Sequence, residues 1–243
     1  MSKVVTIVGG HGKVGLRLSR LLKSTARVTS IIHIPEHAPE VKAAGAIPII
    51  LSLESDPVEQ FSAVFAGSDV VVFSAGAGGK GGPERTKAVD YEGAVKVFDA
   101  IEAIKGEKPR LLLVSAIDAR DRNKIPHYYN EEDVRVSDAF WKTLSTYMTW
   151  KYEAEKDLHK RTAFKWTVLR ASELLETPGT GKASIGMTHI TPGISRDDVA
   201  KTLALLVDRP DADGLSLDII GGETSIDEAL DSAIRNRVTS WSG

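Results

Sequence analysis

Two tyrosine–lysine pairs share one short stretch, STYMTWKYEAEK, from Ser145 to Lys156. Tyr147 precedes Lys151 by four residues, and Tyr152 precedes Lys156 by four. A tyrosine one helical turn from a lysine can serve as a proton donor. Free tyrosine titrates near pH ~10, and a buried cation beside it favours the phenolate and draws it toward the working range. The same spacing also describes an ordinary surface pair. On a helix, Tyr147, Lys151, Ala154 and Leu158 form one stripe, whose small and apolar members suit a face against a sheet. Tyr152 and Lys156 are rotated away from it, among Glu153, Glu155 and Asp157. The two pairs cannot face one reacting centre. Tyr147 and Lys151 are the buried-face candidates, and Tyr152 and Lys156 read as a solvated face.

A second group of residues lies near the N-terminus. In IVGGHGKVGLRL, Gly9, Gly12 and Gly15 fit G-x-x-G-x-x-G, and Gly10, Gly12 and Gly15 also fit G-x-G-x-x-G. The pattern follows an apolar run and opens a helical one, which is the context a dinucleotide-binding loop needs. Glycines there let the backbone turn sharply and approach a pyrophosphate. The helix start at Lys13, Val14 and Gly15 then offers N–H groups to the anion. A carboxylate ending the second strand would accept the ribose hydroxyls of NAD. Here that strand ends IIHIPEH, with His33 in the place and no acid before Glu36. With Arg17 and Lys13 nearby, the reading points to NADP ahead of NAD. No metal site is expected: His33 and His37 are four apart, but Pro35 lies between them and no third ligand is near.

The elements that must position these residues alternate. Apolar runs at Val4–Val8, Val28–Ile32, Ala46–Leu51, Val70–Phe73, Leu111–Ser115, Trp166–Leu169 and Leu215–Ile220 read as strands. Amphipathic segments between them read as helices, from about Lys13 to Lys23, about Glu84 to Ile104, and over the tyrosine–lysine stretch. A short helix after Asp56 takes that residue as N-cap with Pro57 at its first position, and Ser195 with Asp198 caps another. Continuous apolar strands alternating with helices imply an α/β fold, a doubly wound parallel sheet covered on both faces. Pro48 in the third strand marks an edge, and the order 3-2-1-4-5-6 puts the third strand at an edge. Ser115 ends the fifth strand and would place a hydroxyl beside a reacting carbonyl oxygen. The Gly-rich run Gly76–Pro83 follows the fourth strand, as either a flexible loop or a ligand-side rim.

The chain has 243 residues and a net charge of -2, enough for one Rossmann domain spanning residues 1–243. Charges are interspersed, with no basic run for nucleic acid and no apolar stretch for a bilayer. There is no cysteine and no signal-peptide layout at the start, so a cytoplasmic setting is expected.

These motifs resemble the short-chain dehydrogenase/reductase superfamily. The chain is similar to its atypical NAD(P)-binding branch, NmrA-like or epimerase-like, with small fungal and bacterial members. The resemblance rests on GGHGKVG, VVFSAGAGGKGG, AVDYEGAVKVFDA, LLLVSAIDA, YMTWK, WTVLRASELLETPGTG, SRDDVA and IIGGETSIDEAL. It implies a catalytic set of Ser115, Tyr147 and Lys151, with Asp90 where the superfamily has asparagine. It also implies that Ser74, Ala75 and Gly76 line the cofactor, that Leu53 lies near the adenine, and that Ala171 and Ser172 meet the nicotinamide end. Arg170–Ser172 departs from the usual Arg-Pro-Gly. The long gap between Ser115 and Tyr147 makes about 116–142 a substrate-side insert, and the resemblance implies a second substrate-side element at about 171–194. In the first, Tyr128, Tyr129, Phe140 and Trp141 either form a lid over a small-molecule substrate or pack the insert down. Thr177–Gly186 reads as mobile. An NADP-dependent oxidoreductase is the leading expectation, with an epimerase or dehydratase, a flavin reductase, or a non-catalytic NADP sensor as alternatives. Monomer and homodimer stay open.

Overall fold

The computed structural model describes residues 2–78 and 81–242. Gly79 and Lys80, inside the Gly-rich run after the fourth strand, lie outside the described residues. The strands are β1 (Lys3–Val8), β2 (Ala26–Ile32), β3 (Ile47–Ile50), β4 (Val70–Phe73), β5 (Arg110–Ala116), β6 (Trp166–Ala171), the two-residue β7 (Leu174–Leu175), β8 (Lys182–Gly186), β9 (Ile194–Ser195) and β10 (Ser216–Ser225). The main sheet runs β3-β2-β1-β4-β5-β6-β10-β8. All its pairings are parallel except β8 on β10. The doubly wound order is therefore present, with Pro48 on edge strand β3 opposite Ser30.

Strand residues alternate between two cores, as the period of two requires. Val5, Ile7, Val70 and Val72 face a core closed by α1 (Lys13–Leu22), α2 (Ala38–Ala43), α7 (Arg196–Val207) and α8 (Ile226–Arg235). Val8, Val71, Phe73, Leu111 and Leu113 face the other, closed by α3 (Val58–Phe65), α5 (Gly93–Glu102) and α6 (Glu131–Leu158). Between β4 and α5 the chain passes through α4 (Gly82–Thr86) and a π-helical segment, Lys87–Glu92. The single long helix expected there is thus three contiguous pieces.

Three local expectations are corrected. Pro57, not Asp56, occupies the cap of α3, because the Asp56 carboxylate instead accepts the Ser52 N–H at 2.6 Å. The stretch expected to be mobile, Thr177–Gly186, contains β8, an antiparallel strand that no alternation signal marked. Its approach is tied down by Asp198, whose carboxylate accepts the N–H groups of Thr180 and Gly181 at 2.9 and 2.8 Å. The insert after β5 is helical from Glu131, and α6 runs through to Leu158 with one break at Leu144 (φ -120°, ψ 21°).

Candidate functional site

A cleft of about 520 Å³ opens at the C-terminal ends of β1 to β4, where the strand order reverses. Val8–Gly9 and His11–Lys13 line one wall, Ile31–Ile34 and Leu51–Glu54 another, and Ser74–Gly78 the third. The glycine loop makes this space by close packing. Gly9 has φ +84°, and a Cβ there would come within 2.7 Å of the Ala75 backbone. At Gly15 a Cβ would come within 2.7 Å of the Gly9 carbonyl oxygen. No side chain caps α1, and no acid stands in its first turn. Its N–H groups and positive dipole end therefore face the cleft unanswered, which suits a pyrophosphate. These residues fit a dinucleotide.

The sequence candidates divide around this cleft. Gly9, Gly12, Lys13, His33, Leu53, Ser74, Ala75 and Gly76 line it. Val14 and Gly15 are buried behind it in α1. Arg17 is turned away, with its Nε donating to Asp197 at 2.6 Å. Lys13 reaches Glu176, which also pairs with Arg196 at 3.0 Å. Ala171 and Ser172 are buried at the end of β6, where the Ser172 hydroxyl donates to the Pro192 carbonyl at 3.1 Å.

The catalytic candidates gather beneath the β4 wall. The π-helical segment aims Asp90 inward, as such bulges often do at functional sites. One Asp90 oxygen accepts the Ala77 N–H at 3.0 Å, and the other lies 3.0 Å from Lys151 Nζ. That second contact is a pairing of charges without hydrogen-bond alignment. Burial pushes the Lys151 ammonium down, but the attraction of Asp90 outweighs it and leaves the lysine above its ordinary range. Lys151, Ala154 and Leu158 are buried, as the stripe predicts. Tyr147 is half-buried beside Ala116 and Met148, with Lys151 Nζ 5.6 Å from its ring centre. Desolvation raises the Tyr147 phenol; Lys151 pulls it down, and Asp90 pushes it up again. The net direction is upward, so near neutrality Tyr147 holds its proton. The sequence leads one to expect a downward pull from the lysine; that pull is present, but desolvation and the facing Asp90 outweigh it.

Ser115 is not brought into this group as a free hydroxyl. Its Oγ donates to Glu155 Oε1 at 2.5 Å, and Glu155 Oε2 takes Arg170 Nε at 2.8 Å. Glu155 is fully buried, which corrects its assignment to a solvated face. It stands four residues after Lys151, so the helical stripe that found Ala154 and Leu158 contained the signal. Tyr152 is stacked on Trp241 at 5.7 Å, while Lys156 pairs with Glu153 at the surface, as expected.

The insert packs down. Asp118, at φ +62°, collects Arg120 Nε at 2.6 Å, Trp141 Nε1 at 3.0 Å and the Tyr129 hydroxyl at 3.2 Å. Tyr128 donates to Asp218 at 3.3 Å, and Phe140 joins Ile117, Ile190 and Ile220. Burial raises both Tyr128 and Tyr129 well above the ordinary phenol range, so neither is a phenolate. Asn130 caps α6 in a reciprocal box with Asp133, whose carboxylate also takes the Ile190 N–H at 2.9 Å. The 116–142 and 171–194 segments are thereby joined. Among the described residues there is no group of acids and histidines that could hold a metal ion, and no helix is long and apolar enough to cross a membrane.

Comparison with known proteins places the cleft in a wider set. The NAD(P)H-binding family matches residues 9–210. A UPF0659 protein of Schizosaccharomyces pombe is 36% identical, over 93% of each chain. A Bacillus subtilis protein named an uncharacterized sugar epimerase is 33% identical, over 93% of this chain and 98% of its own. A solved Bacillus halodurans structure, put forward as an NAD-dependent epimerase/dehydratase, is 29% identical with a TM-score of 0.79, covering 95% of this chain and 100% of that one.

Proposed function

Since this chain belongs to the NAD(P)H-binding family, we propose that it is an NADP-dependent oxidoreductase acting on a small carbonyl or alcohol. The observation that carries the reading is the buried Lys151–Asp90 pair, 3.0 Å apart, directly below the β4 wall of the cleft and beside Tyr147. The bound cofactor supplies a hydride acceptor or donor at its nicotinamide; the rest falls to this chain. Tyr147 keeps its phenolic proton at neutral pH, and among the described residues its hydroxyl takes no hydrogen bond from the protein. It is the donor to a carbonyl oxygen as that oxygen gains charge. The phenolate left behind is held by Lys151 until solvent returns the proton. Asp90 keeps the lysine charged and its ammonium fixed. Ser115, its hydroxyl donating to Glu155, positions the strand end rather than the substrate oxygen.

The test is consumption of NADPH against a panel of small aldehydes and ketones. Removing a proton donor costs ~10²- to 10⁴-fold in rate, so Tyr147→Phe should lose turnover by that factor. It should keep the thermal shift given by NADPH, about 2.7 kcal/mol at a hundred times the dissociation constant. Full turnover in Tyr147→Phe sinks the reading. The epimerase names of two relatives favour a second reading. There Tyr147 would have to enter as the phenolate, with Lys151 offsetting its charge, take the alcohol proton during a transient oxidation and then return it, and product would form with no net use of cofactor.

A further inference from the structure

Three histidines, His11, His33 and His37, line the cleft. His11 stands between Gly10 and Gly12, and His37 in the short turn after β2. Their rings stack with centroids 3.5 Å apart and planes 14° from parallel. His33, exposed at the end of β2, lines the same cleft. The sequence points to His33 for the cofactor, rejects the His33–His37 pair as a metal site, and gives no sign that His37 meets His11. The fold instead brings the glycine loop and the turn after β2 into ring contact.

The permanent cations of this cleft are already paired. Lys13 is held by Glu176, and Arg85 by Glu54 at 3.4 Å. Arg17 is on Asp197 and does not line the cleft. The remaining charges facing the histidines are acids: Glu40, 3.2 Å from His11 Nε2, and the exposed Glu36 of the turn. Two protonated rings at stacking distance would repel each other strongly, and an anion seated against them would offset that repulsion. A phosphomonoester carries close to two negative charges at neutral pH. It would favour the protonated rings and accept their N–H groups.

We propose that His11, His37 and His33 form a proton-coupled subsite for a phosphomonoester on the adenosine ribose. The subsite binds the dianion with uptake of protons, so that preference for the phosphorylated dinucleotide strengthens as pH falls. This rests on the reading that the cleft takes NADP, and it adds the residues and the proton linkage. No bond is made or broken; protons pass from solvent to imidazole as the anion binds.

The test is calorimetric titration of the intact protein with NADP, NAD, adenosine 2′,5′-bisphosphate, adenosine 3′,5′-bisphosphate and inorganic phosphate. Each is run from about pH 6 to about pH 8 in two buffers of different ionisation enthalpy. The expected result is proton uptake with NADP and the 2′,5′ compound, and NADP affinity falling by up to about tenfold per pH unit. NAD affinity should stay flat. His37→Gln and, separately, His33→Asn should flatten the NADP slope and lower its affinity at the acid end by about tenfold. Binding of NADP that is pH-independent, with no proton taken up, would overturn the subsite while leaving an NADP enzyme standing. Tighter binding of the 3′,5′ compound or of free phosphate would also overturn it, since the ribose position would not be read. If NAD binds and NADP does not, the subsite fails but hydride transfer survives. If neither dinucleotide binds, the reading of the cleft fails as well.

Discussion

The cofactor half of this molecule and the region around β5, β6 and β10 are held by different physics. Around the cleft the decisive contacts are backbone against backbone: Gly9 on the Ala75 main chain, Gly15 on the Gly9 carbonyl, and an uncapped helix start. Around β5, β6 and β10 they are buried charges. Ser115, Arg170 and Asp218 lie side by side across the three strands, and Glu155 joins the first two. The C-terminal segment closes over them. Arg170 donates to the Ser240 carbonyl at 3.1 Å, and Trp241 stacks on His159 at 4.0 Å. The first half leaves groups open for a ligand, and the second has nearly every polar group answered from within. The first therefore presents groups that a ligand can use, and the second holds its polar groups in fixed positions.

The comparison is most exposed at Glu155. Replacing it with alanine leaves Arg170 buried without its main counter-charge and frees the Ser115 hydroxyl. Breaking one side of a buried pair costs about 3–5 kcal/mol. Urea unfolding of Glu155→Ala should show a loss of that size. A loss below about 1 kcal/mol would mean that the network is not what holds this half together.

Asp218 tests the same half from the opposite direction. Burial raises its carboxyl from 3.8 to about 6, against the pull of Arg170, and one of its oxygens has no hydrogen-bond partner. The native state therefore holds a proton on this acid over a range where the unfolded chain has lost it. Stability falls as pH rises from about 4 to about 6 and stays lower above that. At ~1.4 kcal/mol per pH unit, the penalty at neutral pH approaches about 3 kcal/mol. Asp218→Asn should remove it, raising stability above pH 6 while changing little near pH 4. Parallel stability curves for the two proteins across that range would refute the assignment.

In the cofactor half the sensitive group is a main-chain conformation. Gly9→Ala should cost about 1–3 kcal/mol from positive φ and overlap with Ala75. It should also abolish the thermal shift given by NADPH, a combined loss that Glu155→Ala should not show. If Gly9→Ala keeps that shift, the loop does not shape the binding surface.

What the sequence made legible follows the same division. Strand order, the Pro48 edge, the glycine loop and the Lys151 stripe all depend on residues a few positions apart, where periodicity and glycine chemistry carry information. The contacts that escaped join distant segments: Ser115 to Glu155, Tyr128 to Asp218, Arg170 to Ser240, His11 to His37. No local pattern encodes such a partner. Strand β8 was missed because a Gly-rich run with little alternation reads as a loop, and only its pairing with β10 makes it a strand. Asp90 was placed by resemblance, but its inward aim comes from a π-helical turn that has no residue signature.

The smallest effect is expected at the second tyrosine–lysine pair. Lys156 lies at the surface and reaches Glu153 at 3.3 Å, three residues back on the same helix. Lys151 is buried and faces Asp90 from another element. The two lysines share a spacing from tyrosine and nothing else. Exposed pairs of the first kind add little to stability, so Lys156→Ala should shift the melt by no more than about a degree or two and leave turnover alone. Lys151→Ala should strand Asp90 and leave the Tyr147 phenolate without its cation. Equal losses of turnover from the two substitutions would erase the distinction, because burial of the lysine would then decide nothing about the chemistry.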